Sequence, residues 1–242
     1  MLGGVSDGSP RTRHAQELFA PLGPTYDRAA SLLSFGQDPR WRRFLVSRVP
    51  DDAHDVLDVA CGTGAVAIEL AQRVPERRVI GVDQSREMLA AGRERVARAR
   101  LDGRIELREG RAESLPFADE AFDALTFTYL FRYVDDPRTT LDELVRVVRR
   151  GGVIGMVEFG LPSYPWRAAW ELYVRVVLPA AGRLIAPAWP GVGRFLGPSI
   201  RTFYAEWPLE RQLELWRAAG LTDVRARRLS LGGGVVMWGA RA

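Results

Sequence analysis

The chain contains no lysine and no asparagine, and it has one cysteine and two histidines. A single cysteine, Cys61, excludes an intrachain disulfide and permits a reducing compartment. His14 and His54 add too few ligands for a metal cluster, so no metal is expected. Long apolar runs are also missing. The longest, Leu172 to Ala188, is broken by Arg175, Pro179, Arg183 and Pro187, which excludes a membrane span. The amino-terminal residues carry no apolar leader segment, and 1–10 read as a polar tail. Without lysine, the net charge of +4 and the isoelectric point near 9.7 come from arginine alone. The arginines are spread along the chain, which reads as a coding bias and leaves no localised footprint for nucleic acid. What remains, 242 residues at 47% hydrophobic, is enough for one sizeable core with a cap.

The most informative stretch is Asp58-Val59-Ala60-Cys61-Gly62-Thr63-Gly64, right after the apolar Val56-Leu57. It places a strand, a tight glycine turn and a helix start in one short span, so that a nucleotide-like ligand can meet bare backbone at a helix N-terminus. Asp83 closes a second apolar run, Val79-Ile80-Gly81-Val82, nineteen residues past Gly64. A carboxylate at that point is where the two hydroxyls of a ribose are gripped. A nicotinamide site wants G-x-G-x-x-G, and its best fit here, Ala60-x-Gly62-x-x-Ala65, lacks two of the three glycines. Read as acidic-x-small-x-G-x-G, the same residues fit the turn of class I methyltransferases, which bind S-adenosylmethionine.

From Asp55 to Phe159 strand and helix patterns alternate, which predicts a parallel sheet with helices on both faces. Strands are expected over 56–59, 78–82, 104–108, 122–127 and 153–159, with two closing strands over 223–229 and 234–240. Leu141, Leu144, Val145 and Val148 mark a helix that Gly151-Gly152 would end, and another helix carries Leu209, Leu213 and Trp216 before Gly220. The expectation is a single domain: an N-terminal helical cap over 11–53, a cofactor-binding core over 54–159, a helical lid over 160–205 and the end of the core over 206–242. In the lid Trp166, Ala169, Trp170, Tyr173, Val174, Val177, Leu178 and Ala181 keep helical spacing. That face would line a lipophilic pocket or touch a bilayer surface.

Together these residues resemble the ubiquinone and menaquinone biosynthesis C-methyltransferases, the UbiE-type family. The likeness runs from Tyr26 nearly to the end. It is carried by Tyr26-Asp27, Leu33-Ser34-Phe35-Gly36 with Trp41-Arg42-Arg43, Val56 to Gly64 and Gly81 to Ser85 with Met88-Leu89. Further on it rests on Ala112 to Phe117, Phe122-Asp123-Ala124, Arg132 before Val134, Arg150-Gly151-Gly152, Glu158-Phe159, Ser199-Ile200 and Gly233-Gly234-Val235. Departures from the family pattern include Ala30 and Tyr133 in place of asparagine, Asp38 and Trp238 in place of histidine, and Phe195 in place of tyrosine. At Arg111 the family prefers an acceptor for the adenine amine. Arginine offers none, so adenine recognition would pass to the backbone of Ala112 or to packing.

The resemblance implies an α/β, Rossmann-like, seven-stranded class I methyltransferase sheet with a helical cap. It also implies S-adenosylmethionine as cofactor and S-adenosylhomocysteine as product. Asp83 would take the ribose, while Asp58, Ala60, Gly62, Thr63 and Gly64 would hold the methionine part with Thr128 nearby. Gln84 and Met88 would flank the adenine, beside Arg111 and Ala112. Tyr26 would cover the methionine end. The implied acceptor is a lipophilic small molecule, first of all a prenylated quinol, with Phe35, Arg132, Tyr133, Glu158 and Trp170 around it. Arg132 is the candidate to stabilise an ionised hydroxyl, and Asp38 and Asp27 are candidate bases. A phospholipid amine, a phenol or another natural product as acceptor stays open, as does a non-catalytic cofactor- or lipid-binding subunit. The expected setting is cytoplasmic, with peripheral membrane contact and a homodimer left open.

Overall fold

A computed structural model describes residues 26–185 and 189–242, with side chains over 30–181 and 194–242. The tail, the start of the expected cap and the side chains of Tyr26 and Asp27 therefore lie outside the described residues. The chain opens with helices α1 (Tyr26–Leu33) and α2 (Gln37–Val46). Alternation then follows through β1 (Asp55–Val59), α3 (Ala65–Arg73), β2 (Arg78–Asp83), α4 (Arg86–Arg98) and β3 (Ile105–Glu109). Next come β4 (Phe122–Thr128), α5 (Pro137–Arg146) and β5 (Val148–Phe159). Helices α6 (Trp166–Leu172), α7 (Leu178–Ile185) and α8 (Trp189–Glu206) precede α9 (Leu209–Ala218), β6 (Leu221–Leu229) and β7 (Gly234–Arg241).

The seven strands form one sheet in the order β3-β2-β1-β4-β5-β7-β6, in which β7 runs antiparallel to β5 and β6 and the remaining pairs are parallel. The inner strands are almost wholly apolar because both of their faces are covered. Val56 and Val79 pack with Val66 and Leu70 of α3 and Leu89 of α4. Leu57 and Phe127, on the opposite face, pack with Leu141 and Leu144 of α5 and Trp216 of α9. The chain runs outward on one side of β1 as β2-β3 and on the other as β4-β5. This reversal opens a crevice at the carboxyl ends of β1 and β4, the usual seat of a ligand in such sheets.

Three expectations are corrected. The helix over Leu141 and Val145 stops at Arg146, and Val148 already begins β5, so Gly151-Gly152 lies inside a strand. A Cβ on Gly152 would stand 2.5 Å from the Asp123 carbonyl oxygen; the glycine serves a close strand approach where the β4–β5 register slips. The lid is not one continuous stripe. Tyr173–Val177 is a π-helical turn, placed just before Pro179, which has no N–H to extend an α-helical ladder. Trp166 and Val177 are exposed, while Val174 and Leu178 are buried. Strand β6 starts two residues early, at Leu221, with a bulge between Thr222 and Arg225. No helix among the described residues is long and apolar enough to cross a membrane.

Candidate active site

The glycine turn joins β1 to α3 through three left-handed residues, Ala60 (φ 54°), Gly62 (φ 53°) and Gly64 (φ 74°). Gly64 caps α3, and a Cβ on Gly62 would meet nothing within 4 Å. Cys61 donates its N–H to the Val82 carbonyl at 3.1 Å, tying the turn to β2. Its thiol is buried 2.9 Å from where a Cβ on Gly81 would stand, and that burial pushes its pKa well up. The residue fills space beside the turn and is no nucleophile.

Asp83 ends β2 between two backbone donors. Its Oδ2 accepts from Gly62 N–H at 2.8 Å and its Oδ1 from Ser85 N–H at 2.9 Å. Burial raises its pKa, against the pull of those amides. Ser85 in turn caps α4 by accepting the Met88 N–H at 3.2 Å. Asp58 lies under the turn, 1% exposed, with Oδ1 accepting from Thr126 Oγ1 at 2.8 Å. Its Oδ2 is buried with no hydrogen bond of ordinary geometry among the described residues, and burial lifts its pKa to about 7. An orphaned carboxylate oxygen beneath an open glycine turn suits a cationic amino group, and a second carboxylate one strand over suits a diol. The residues present therefore fit an adenosyl amino acid.

A cavity of about 340 Å³ extends from this turn to the underside of the helical cap. Ala60, Gly62, Thr63, Asp83, Gln84, Met88 and Thr128 line its inner end. Phe35, Asp38, Arg132, Tyr133 and Trp170 line the rest. A side recess of about 60 Å³ takes in Arg111 and Ala112 next to Gln84; Arg111 faces Glu113 there at 3.5 Å. Asp58 and Gly64 stand behind the wall. Thr63 reaches the cavity, but its hydroxyl already accepts from Arg95 at 2.7 Å. Glu158 is behind Arg132, accepting from its Nε at 2.8 Å and from the Phe159 N–H at 2.8 Å. The Arg132 guanidinium also reaches Ser199 Oγ at 3.4 Å and lies 4.9 Å from the ring centre of Tyr133 and 5.2 Å from that of Phe159.

Asp38, the second charged group of the acceptor end, is 3% exposed. Its Oδ1 accepts from Arg42 Nε at 3.1 Å and from the Tyr129 hydroxyl, and its Oδ2 faces Arg42 Nη2 at 3.1 Å. Neither Tyr129 nor Arg42 stands out in the sequence as a site residue. Tyr129 directly follows Thr128 at the end of β4, where an open α/β sheet presents its functional side chains, and that position was the available signal. Tyr129 has a left-handed backbone (φ 56°) and stacks on Phe159 at 4.5 Å. Trp41, a carrier of the family likeness, and Ser230 are further wall residues that the sequence does not assign to the site: Trp41 Nε1 donates to Ser230 Oγ at 2.8 Å, and Ser230 donates to Gln37 at 2.8 Å, closing the cavity wall. A Cβ on Gly234 would fall 2.5 Å from the Trp41 ring, which explains the glycine there.

The strand order, the glycine turn and the paired Asp58 and Asp83 carboxylates define a class I S-adenosylmethionine-dependent methyltransferase. The fold is shared with the geranyl diphosphate C-methyltransferase of Streptomyces coelicolor A3(2), a structure containing S-adenosyl-L-homocysteine. The TM-score is 0.59 at 16% identity, over 85% of this chain and 79% of that one. The chain belongs to the ubiE/COQ5 methyltransferase family, whose model matches residues 8–241. Over 230 residues it is 34% identical to the ubiquinone/menaquinone biosynthesis C-methyltransferase UbiE of Geotalea daltonii, covering 93% of this chain and 95% of that protein. It is 36% identical to the demethylmenaquinone methyltransferase of Clavibacter sepedonicus, covering 94% and 90%. Family membership decides for S-adenosylmethionine and against the nicotinamide alternative.

Proposed function

We propose that the enzyme methylates a ring carbon of a prenylated quinol, a demethylmenaquinol or a ubiquinol precursor. One observation carries the reading: a buried guanidinium, that of Arg132, lines the cavity at the carboxyl end of β4 beside the aromatic rings of Tyr133 and Phe159. When bound, S-adenosylmethionine supplies an electrophilic sulfonium methyl. Asp83 would hold its ribose, Asp58 and the Ala60–Gly64 backbone its amino acid part, and the recess beside Ala112 its adenine. The protein must align the acceptor carbon and exclude water, which can supply on the order of 7–11 kcal/mol of the barrier.

A quinol carbon becomes nucleophilic when the neighbouring hydroxyl ionises, and an unperturbed phenol has a pKa of about 10. A guanidinium within reach lowers such a value by roughly 1–3 units. Arg132 stays protonated and so stabilises the phenolate without taking its proton. The same geometry speaks against an amine acceptor, because the aromatic faces of Tyr133 and Phe159 already meet a fixed cation. Exposed Phe35, Leu172 and Val176 near the cap suit a cytoplasmic protein that takes its acceptor from a lipid surface by peripheral contact.

The test is transfer of radiolabelled methyl from S-adenosylmethionine into chemically reduced demethylmenaquinone and the ubiquinone precursor, each with an oxidised control. Label confined to a reduced acceptor is expected. No label in a preparation that binds S-adenosylhomocysteine would overturn the reading. Sedimentation with anionic phospholipid vesicles tests the membrane contact, which Phe35→Ser with Leu172→Ser should weaken.

A further inference from the structure

Tyr129 and Asp38 lie 91 residues apart in sequence and meet on one wall of the acceptor cavity. Arg42 faces both oxygens of the Asp38 carboxylate, and Oδ1 also takes the proton of the Tyr129 hydroxyl. A phenol has one proton and two lone pairs. With its proton committed to Asp38, the Tyr129 oxygen meets a cavity ligand as an acceptor. The ring cannot easily turn away, since it stacks on Phe159 at an interplanar angle of 22°. Arg132 lies 5.2 Å from that same Phe159 ring. A donor-only group and an acceptor-biased hydroxyl therefore both adjoin the Phe159 ring in the cavity wall.

From this polarity we infer that Tyr129, oriented by Asp38 and Arg42, is a specificity-determining residue that selects the hydroxyl-bearing, reduced form of the acceptor over its oxidised carbonyl form. A quinol hydroxyl donates to the Tyr129 oxygen. A quinone carbonyl at the same point sets two acceptors against each other, with the desolvation of both uncompensated. Arg132, by contrast, can donate to either redox form and gives no such discrimination. The selection acts on binding and involves no change in oxidation state at the enzyme. The inference rests on the quinol reading of the cavity and deepens it.

The experiment measures equilibrium binding of a short-chain demethylmenaquinone analogue, reduced and oxidised, to the S-adenosylhomocysteine complex without oxygen. The wild type should bind the reduced form about tenfold more tightly, a difference of about 1.4 kcal/mol. Tyr129→Phe keeps the ring and should bring the ratio close to one. Asp38→Ala gives the sharper result. It removes the acceptor that holds the tyrosine proton while the Tyr129 ring stays in place, so the hydroxyl can donate to a quinone carbonyl as readily as it accepts from a quinol. The preference should then shrink toward one with the tyrosine still present, an outcome that loss of ring packing would not produce. Equal binding of the two forms by the wild type, or a wild-type ratio in both variants, would overturn the inference. If the wild type also fails to label any quinol, the function itself is misread; if it labels quinol but binds both forms equally, only the selectivity is wrong.

Discussion

The Nε of Arg132 sits 2.8 Å from Oε1 of Glu158, and each side chain is 1% exposed. Burial raises the Glu158 pKa while Arg132 pulls it back. Removing one partner of such a pair strands a buried charge, at a cost of about 3–5 kcal/mol, whereas replacing both by apolar groups is often close to neutral. Glu158→Ala should therefore be destabilising by that amount, and Arg132→Met combined with Glu158→Leu should cost less than the two single changes added. Urea unfolding of the wild type, Glu158→Ala, the two single changes and the double variant checks this; strict additivity would show that the pair is not coupled.

Asp83 offers a second test, independent of the acceptor. Both of its oxygens accept backbone N–H groups, from Gly62 and Ser85. Asp83→Asn must turn an amide NH₂ toward one of those donors, which loosens the turn as well as the ribose site. Hydrogen bonds to a charged group contribute about 1.5–3 kcal/mol, so S-adenosylhomocysteine should bind roughly ten- to a hundredfold more weakly by calorimetry. An unchanged affinity would remove Asp83 from the cofactor site.

The elevated pKa of Asp58 has a sign that can be measured. Burial raises it from 3.8 to about 7 in the folded protein. The folded state holds this proton more tightly than the unfolded chain, so the contribution to stability is present below about pH 4 and is lost as pH rises through about 7. The full difference amounts to roughly 4 kcal/mol. Asp58→Asn should accordingly gain on the wild type in unfolding free energy between about pH 4 and pH 8. A parallel pH dependence for the two proteins would refute the buried-proton account.

Away from the cavity, Arg77 is fully buried just before β2. It donates to the carbonyls of Ala53 at 2.8 Å, Leu70 at 3.4 Å and Pro50 at 2.5 Å. Burial lowers its pKa. Arg77→Met leaves three carbonyls without this donor, and a loss of about 2–4 kcal/mol is expected. Cofactor affinity at the opposite end of the sheet should stay within twofold. Thermal melts with and without S-adenosylhomocysteine distinguish the two effects.

What could be read from the sequence was local. The Asp58–Gly64 turn and Asp83 are legible because their signals are short and tied to strand ends. The seven strands are legible because alternation and apolar runs mark them. Gly152 misled because its reason is the Asp123 backbone, 29 residues away in sequence, and not the helix just before it. The lid stripe misled because a π-helical turn over Tyr173–Val177 shifts the helical phase within it. Tyr129 carried no signal beyond its place at the end of β4, because its hydrogen-bond partner Asp38 lies on a different element. Arg132 was legible from its place just past the carboxyl end of β4, with the family likeness in support, whereas the role of its partner Glu158 is set by a contact that the sequence does not show.

Ser230 bonds to both Gln37 and Trp41, across 193 and 189 residues of chain. Every residue assigned to the cofactor, apart from Tyr26, falls between 58 and 128. During synthesis, then, the ribosome has delivered the whole donor half long before the hairpin that walls the acceptor half exists. A nascent chain stalled ahead of Ser230 would hold the cofactor residues with the far wall of the acceptor cavity still missing.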